Sequence, residues 1–97
     1  SFFAVLESVA LVIEQYDQTS VAVAGHTDNS GSDAHNNQLS LRRATSVSDY
    51  LKSQRVGAAR LLVNGFGEHR PLASNQTAEG KQRNRRVEIT LHPIAQH

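Results

Sequence analysis

The chain has no cysteine. This excludes disulfides, a thiolate metal centre, a cysteine nucleophile and a lipid-modified N-terminal cysteine within this segment, and it fits an oxidising compartment. No stretch approaches the roughly 18 apolar residues of a membrane span, so no direct membrane insertion is expected of the segment, and no charged-then-apolar signal opens it. Charge of one sign is not in excess: the formal net charge is +1, which argues against disorder from self-repulsion and against whole-surface attraction to nucleic acid or membrane. Recognition must therefore be local. Aromatic residues are scarce, and none lies within the basic cluster Lys81, Arg83, Arg85 and Arg86. That cluster lacks the stacking partners of a nucleic-acid surface, so no nucleic-acid partner is expected. Repeats, low-complexity tracts and internal linkers are also missing, and residues 1–97 read as a single domain with one modest core.

What is present is alternation of helical and strand patterns. Phe2, Val5, Leu6, Val9, Ala10, Val12, Ile13 and Tyr16 recur at three- and four-residue steps and predict an amphipathic helix ending near Asp17-Gln18. Val21 to Ala24 is short and apolar throughout, as expected of a central strand covered on both faces. A polar loop over 29–35 leads to a second helix, with Asn36 or Asn37 as N-cap and an end near Gln54. Gly57 breaks the pattern, and Leu61 to Gly67 reads as a second apolar strand ending in glycines. After a polar loop with a helical turn near 77–82, Val87, Ile89 and Leu91 alternate with Glu88, Thr90 and His92 until Pro93 ends the last strand. The order predicts an α/β (α+β) sandwich with helices on a mixed sheet.

Helical spacing places Leu39, Val47, Tyr50 and Leu51 on one stripe of the second helix, with Arg43 among them and Arg42 pointing away. If that helix begins at Asn36 or Asn37, Arg43 lies in its first turns, where the helix dipole disfavours a cation unless an anion answers both charges. Asp28 stands just past the first strand, at the mouth where α/β sheets bind ligands. A carboxylate and a guanidinium held apart and open to solvent at one rim suit a zwitterion: Asp28 would take the ammonium, and Arg43 with the helix N-terminus the carboxylate.

Gly25-His26-Thr27-Asp28-Asn29, then Asn36 with Leu39-Ser40 and Arg43-Ala44, Gly65-Phe66-Gly67-Glu68 with Pro71, Asn75 with Glu79-Gly80, and Asn84-Arg85-Arg86-Val87-Glu88-Ile89 together resemble the OmpA-like peptidoglycan-binding domain. The resemblance implies a βαβαβ-type sandwich whose first strand, ahead of the first helix, is absent from this segment. It implies a non-catalytic module without cofactor or metal that grips the diaminopimelate residue of the stem peptide, with Asp28 on the ammonium and Arg43 on the carboxylate. Thr27 and Asn36 match positions that donate to the ligand or support the aspartate, and Arg85 matches the arginine that approaches the bound carboxylate. The implied setting is the periplasmic side of the outer membrane of a Gram-negative envelope, as part of a lipoprotein or porin. Because the chain opens inside an apolar pattern at Ser1-Phe2-Phe3, it reads as a domain cut from a longer exported protein.

Each residue also has a plainer reading. Arg43 can snorkel, its stem on the core edge and its head near water or Asp49; Asp28 can cap its own turn; Thr27 and Asn36 can be loop polarity or capping. By strand alternation Arg85 shares a side with Val87 and Ile89, and Arg86 shares one with Glu88 and Thr90. His26, Asp28 and His35 match no helical metal-ligand spacing, no nucleophile elbow surrounds any serine, and His69, His92 and His97 read as surface residues. The competing class is a protein-interaction or homodimerising module of stator or signalling type on the same fold.

Overall fold

The computed structural model describes residues 2–94; the expectations placed on Ser1, His97 and the side chains of Phe2 and Phe3 lie outside what is described. In chain order the elements are α1 (Phe2–Gln15), β1 (Thr19–His26), α2 (Asp33–Ser53), a 3-10 turn (Ala58–Arg60), β2 (Leu61–Gly65), α3 (Ala78–Asn84) and β3 (Arg86–Pro93). The three strands form one mixed sheet in the order β2-β1-β3. β1 runs parallel to β2, with Val23 opposite Val63, and antiparallel to β3, with Val23 opposite Ile89. The predicted α/β class of helices packed on a mixed sheet is what forms.

Leu6, Ala10 and Ile13 of α1, Ala44, Val47 and Leu51 of α2, and Val21 and Val23 of β1 make the core, with Leu61 and Val63 of β2 and Val87, Ile89 and Leu91 of β3 packed against it. These strand residues alternate, so the helices cover one face of the sheet only. The expectation that β1 is covered on both faces is corrected: Ala22 and Ala24 are half-buried on the far face, paired with Thr90 and Glu88 on one side and with Leu62 and Asn64 on the other. A run of small apolar residues does not distinguish a doubly covered strand from one whose second face is shielded by its sheet neighbours.

The second helix also starts one turn earlier than expected. Ser32 is its N-cap, in extended conformation, and its hydroxyl accepts the His35 N–H at 3.1 Å; Asp33 then places an acid in the first turn. Asn36 is therefore inside the helix rather than capping it. At the other end Arg55 adopts φ 74°, the Val56 N–H donates to Leu51 O and the Arg55 N–H to Lys52 O, each at 3.1 Å. This is the Schellman arrangement, with an arginine where glycine is usual and Val56 buried beyond it. Arg60 closes the end of α1: its guanidinium donates to Ile13 O and Tyr16 O, carbonyls left over at the helix terminus, and to Thr19 O, all at 3.0–3.1 Å.

Candidate functional site at the mouth of the sheet

The site begins with glycines. A Cβ on Gly25 would overlap the Ser40 carbonyl oxygen, and one on Gly65 would press on the Leu41 amide. Their absence lets the first half of α2 lie directly on the ends of the two parallel strands. The buried face of α2 there is accordingly small and polar: Asn36, Ser40 and Ala44 are all buried. The Ser40 hydroxyl accepts the Gly67 N–H at 2.9 Å and donates to Asn37 O, tying the loop after β2 to the helix.

Asp28 is built into this junction. The Thr27 hydroxyl donates to Asp28 O at 2.8 Å, and the Asn36 side-chain amide approaches the same oxygen at 3.4 Å. Thr27 and Asn36 thus both hold the aspartate's main chain and are themselves buried. On the side chain, Oδ1 accepts the Ser30 N–H at 2.9 Å and Oδ2 accepts Arg85 Nη1 at 2.6 Å. The Ser30 N–H first, and then Arg85, hold the carboxyl below its usual range, against burial that pushes the other way. The acid is not open to solvent as expected: its side chain is 9% exposed, that of Arg85 43%.

Arg43 and Arg85 line one cavity of about 440 Å³ together with Leu6, Val47, Tyr50 and Val87. The expected stripe is rotated, however. The buried line of α2 runs through Asn36, Ser40, Ala44, Val47, Ser48 and Leu51, so Arg43 sits at its exposed edge. Because the helix starts at Asp33, Arg43 is also in the third turn, about 15 Å along the axis at 1.5 Å per residue, where the N-terminal dipole no longer acts. The dipole therefore gives Arg43 no need of an anion, and the helix N-terminus lies too far away to share a ligand carboxylate with it. What stands is geometric: among the described residues the Arg43 side chain has no hydrogen bond or ion pair, while that of Arg85 has one partner, Asp28.

Residues that sequence patterns leave unassigned complete the support. Asn84, fully buried at the end of α3, accepts the Leu72 and Ala73 N–H groups at 2.7 and 2.9 Å and donates to Ala73 O and Asn75 Oδ1. It fastens the long loop 68–77 to the residue preceding Arg85. Its partners lie nine to twelve positions upstream, so no local spacing signals the role. On the far face of the sheet, Arg86 pairs with Glu88 and donates to Arg70 O at 3.0 Å. His26 stacks on Phe66 at 5.5 Å, and the Arg70 guanidinium covers that ring. His35 is exposed in the first turn of α2, and His69 pairs with Asp33.

The model of the OmpA family matches residues 4–85. The probable lipoprotein YiaD of Escherichia coli is 49% identical over 89 residues, covering 92% of this chain and 41% of that protein, so the chain spans less than half of that relative. Among solved structures, the peptidoglycan-associated lipoprotein of Burkholderia pseudomallei superposes with a TM-score of 0.86 at 26% identity, covering 92% of this chain and 75% of that one. The cell wall anchor of the T6SS from Pseudomonas aeruginosa superposes at 0.85 with 35% identity, covering 95% and 66%. Domains of this kind are non-enzymatic binding or anchoring modules. With the family model matched over most of its length and a half-identical lipoprotein relative, the chain belongs to the OmpA family.

Proposed function

We propose that this domain binds peptidoglycan without covalent chemistry, gripping the zwitterionic end of diaminopimelate in the stem peptide and so holding an outer-membrane protein or lipoprotein to the wall from the periplasmic side. The observation that carries the reading is a charge imbalance: Arg43 and Arg85 line one cavity, Asp28 pairs with Arg85 behind it, and no carboxylate pairs with Arg43 among the described residues. The unanswered guanidinium suits an anionic ligand group, and the fixed Asp28 suits a cationic one. The presence of a peptidoglycan-associated lipoprotein and a cell wall anchor among the structural relatives supports the same partner. Thr27 and Asn36 act by fixing Asp28, and Arg85 and Arg43 share the ligand carboxylate.

Affinity for one small zwitterion is expected to be weak, because desolvating the charges offsets most of their attraction. A polymeric wall presents many copies, and multivalency compensates. Sedimentation with insoluble peptidoglycan tests the reading: the wild-type domain and the Arg42→Ala control should pellet, whereas Asp28→Ala and Arg43→Ala should remain in solution. Equal pelleting of all four defeats the clamp.

A second reading, a protein-interaction or homodimerising module, draws on Val5 and Val12 of α1 and Tyr16 just beyond its end, which are 45–62% exposed. It requires a specific oligomer or complex that persists in size-exclusion chromatography without wall fragments.

A further inference from the structure

Asp28 and Arg85 differ in how firmly they are held. Asp28 is fixed at both ends, its carbonyl by Thr27 and Asn36 and its carboxylate by the Ser30 N–H. Arg85 is anchored only at its main chain, where it follows the Asn84 tie; its head is 43% exposed, and Nη1 is its one nitrogen partnered through the side chain among the described residues. Arg86, which also borders the cavity, is neutralised by Glu88. Over these three groups the formal charge is +1, two cations in Arg43 and Arg85 against one anion in Asp28, with Lys81 Nζ a further cation 3.4 Å from Ser30 Oγ.

We propose that Arg85 is a specificity-determining residue: it occupies Asp28 before a ligand arrives, as an internal stand-in for the ligand's ammonium, so that only a ligand carrying a carboxylate beside its ammonium can displace it. This rests on the zwitterion clamp described above and adds the means by which simple amines are refused. An amine alone exchanges one cation for another at Asp28, raises the local charge to about +2 and sends Arg85 into solvent with nothing gained. An α-amino acid end leaves the charge unchanged and offers the released guanidinium a carboxylate to share with Arg43, in the two-pronged geometry that arginine favours. The stem of Arg85 stays in place while its head turns, so the exchange needs no movement of the core.

The experiment uses two probes that differ only in their carboxylates. Diaminopimelate carries the zwitterionic ends, and 1,5-diaminopentane carries the same amines with the carboxylates removed. In NMR titrations the wild-type domain should bind diaminopimelate and refuse the diamine. Arg85→Gln should weaken diaminopimelate about tenfold and strengthen the diamine about tenfold, a change in preference of about a hundredfold. Arg85→Lys keeps a cation on Asp28 and should still refuse the diamine, which also guards against a folding artefact in the glutamine variant. A purely structural arginine would lower both affinities together. If wild type binds diaminopimelate but Arg85→Gln leaves the ratio of the two affinities unchanged, the exchange is wrong and the clamp survives. If wild type binds neither probe, the clamp falls and the exchange with it.

Discussion

Asp28 and Arg85 stand 57 positions apart in the chain and are joined at 2.6 Å between the end of β1 and the start of β3. The pair adds a charged cross-link at the end of the antiparallel neighbours β1 and β3. Half of it is sheltered and half is wet, so its contribution to stability is modest, about 1 kcal/mol, as for other partly exposed pairs. Its larger consequence is electrostatic. After the Ser30 N–H, it favours the ionised form of Asp28 while consuming only one nitrogen of a five-donor group.

Acidification should destabilise the domain over two separate ranges of pH. His26 is held neutral, by burial first and then by Arg86 and Arg70, with Glu88 opposing, so its folded pKa lies below 6.5. A depressed histidine binds fewer protons folded than unfolded; its contribution is complete above pH 6.5 and shrinks as pH falls from there to the folded value. Asp28, also depressed, contributes fully above 3.8 and is lost as pH falls below that. Melting temperature followed from about pH 8 to about pH 3 should drop along both limbs, with His26→Asn removing the first and Asp28→Asn the second. A melting temperature that rises as the medium is acidified through the histidine range would contradict the first assignment.

Much of the site is legible in the sequence alone, and the places where it is not share a cause. The period-two phase of β3 separates Arg85 from Arg86, because the apolar triplet Val87, Ile89 and Leu91 sets which side faces the helices. The start of α2 is displaced by a turn from its expected place because Asn36 and Asn37 are good caps by composition, while Ser32, farther into the loop, has the extended backbone and the bonded hydroxyl. That one turn takes Arg43 out of reach of the helix dipole. The burial of Arg43 differs from expectation for a related reason: large apolar residues define a helix stripe in sequence, yet here the tightest contact is made by Asn36, Ser40 and Ala44 against glycines of two strands. Contacts between small residues distant in sequence leave no periodic signal. Nor does the Asn84 tie.

Asn84→Ala should be the costliest single polar substitution in the loop region. It strands the Leu72 and Ala73 N–H groups as well as Asn75 Oδ1 and Ala73 O. At about 1 kcal/mol for each of the three groups on half-buried Ala73 and Asn75, and little for the N–H of exposed Leu72, the loss is about 3 kcal/mol, read by urea denaturation. Amide exchange should quicken first at Leu72 and Ala73, while Val21 and Val23 in the sheet centre keep their protection until global unfolding. Uniform loss of protection across the sheet would mean that the loop and the core are one cooperative unit.

Two glycine substitutions should part in opposite directions. Gly25→Ala drives a methyl into the Ser40 carbonyl, a backbone atom that cannot swing aside. The helix must lift from the strand ends, which disturbs Ser40, Asn36 and the turn that carries Asp28; a loss of about 3 kcal/mol and weakened wall binding are expected. Gly57→Ala meets nothing within 4 Å, and its φ of −62° suits any residue. Removing glycine there restricts only the unfolded chain and should stabilise by about 0.5 kcal/mol. Thermal melts of the two variants beside wild type decide the matter: if Gly25→Ala melts with wild type, the close seating of α2 on β1 is not what positions the site.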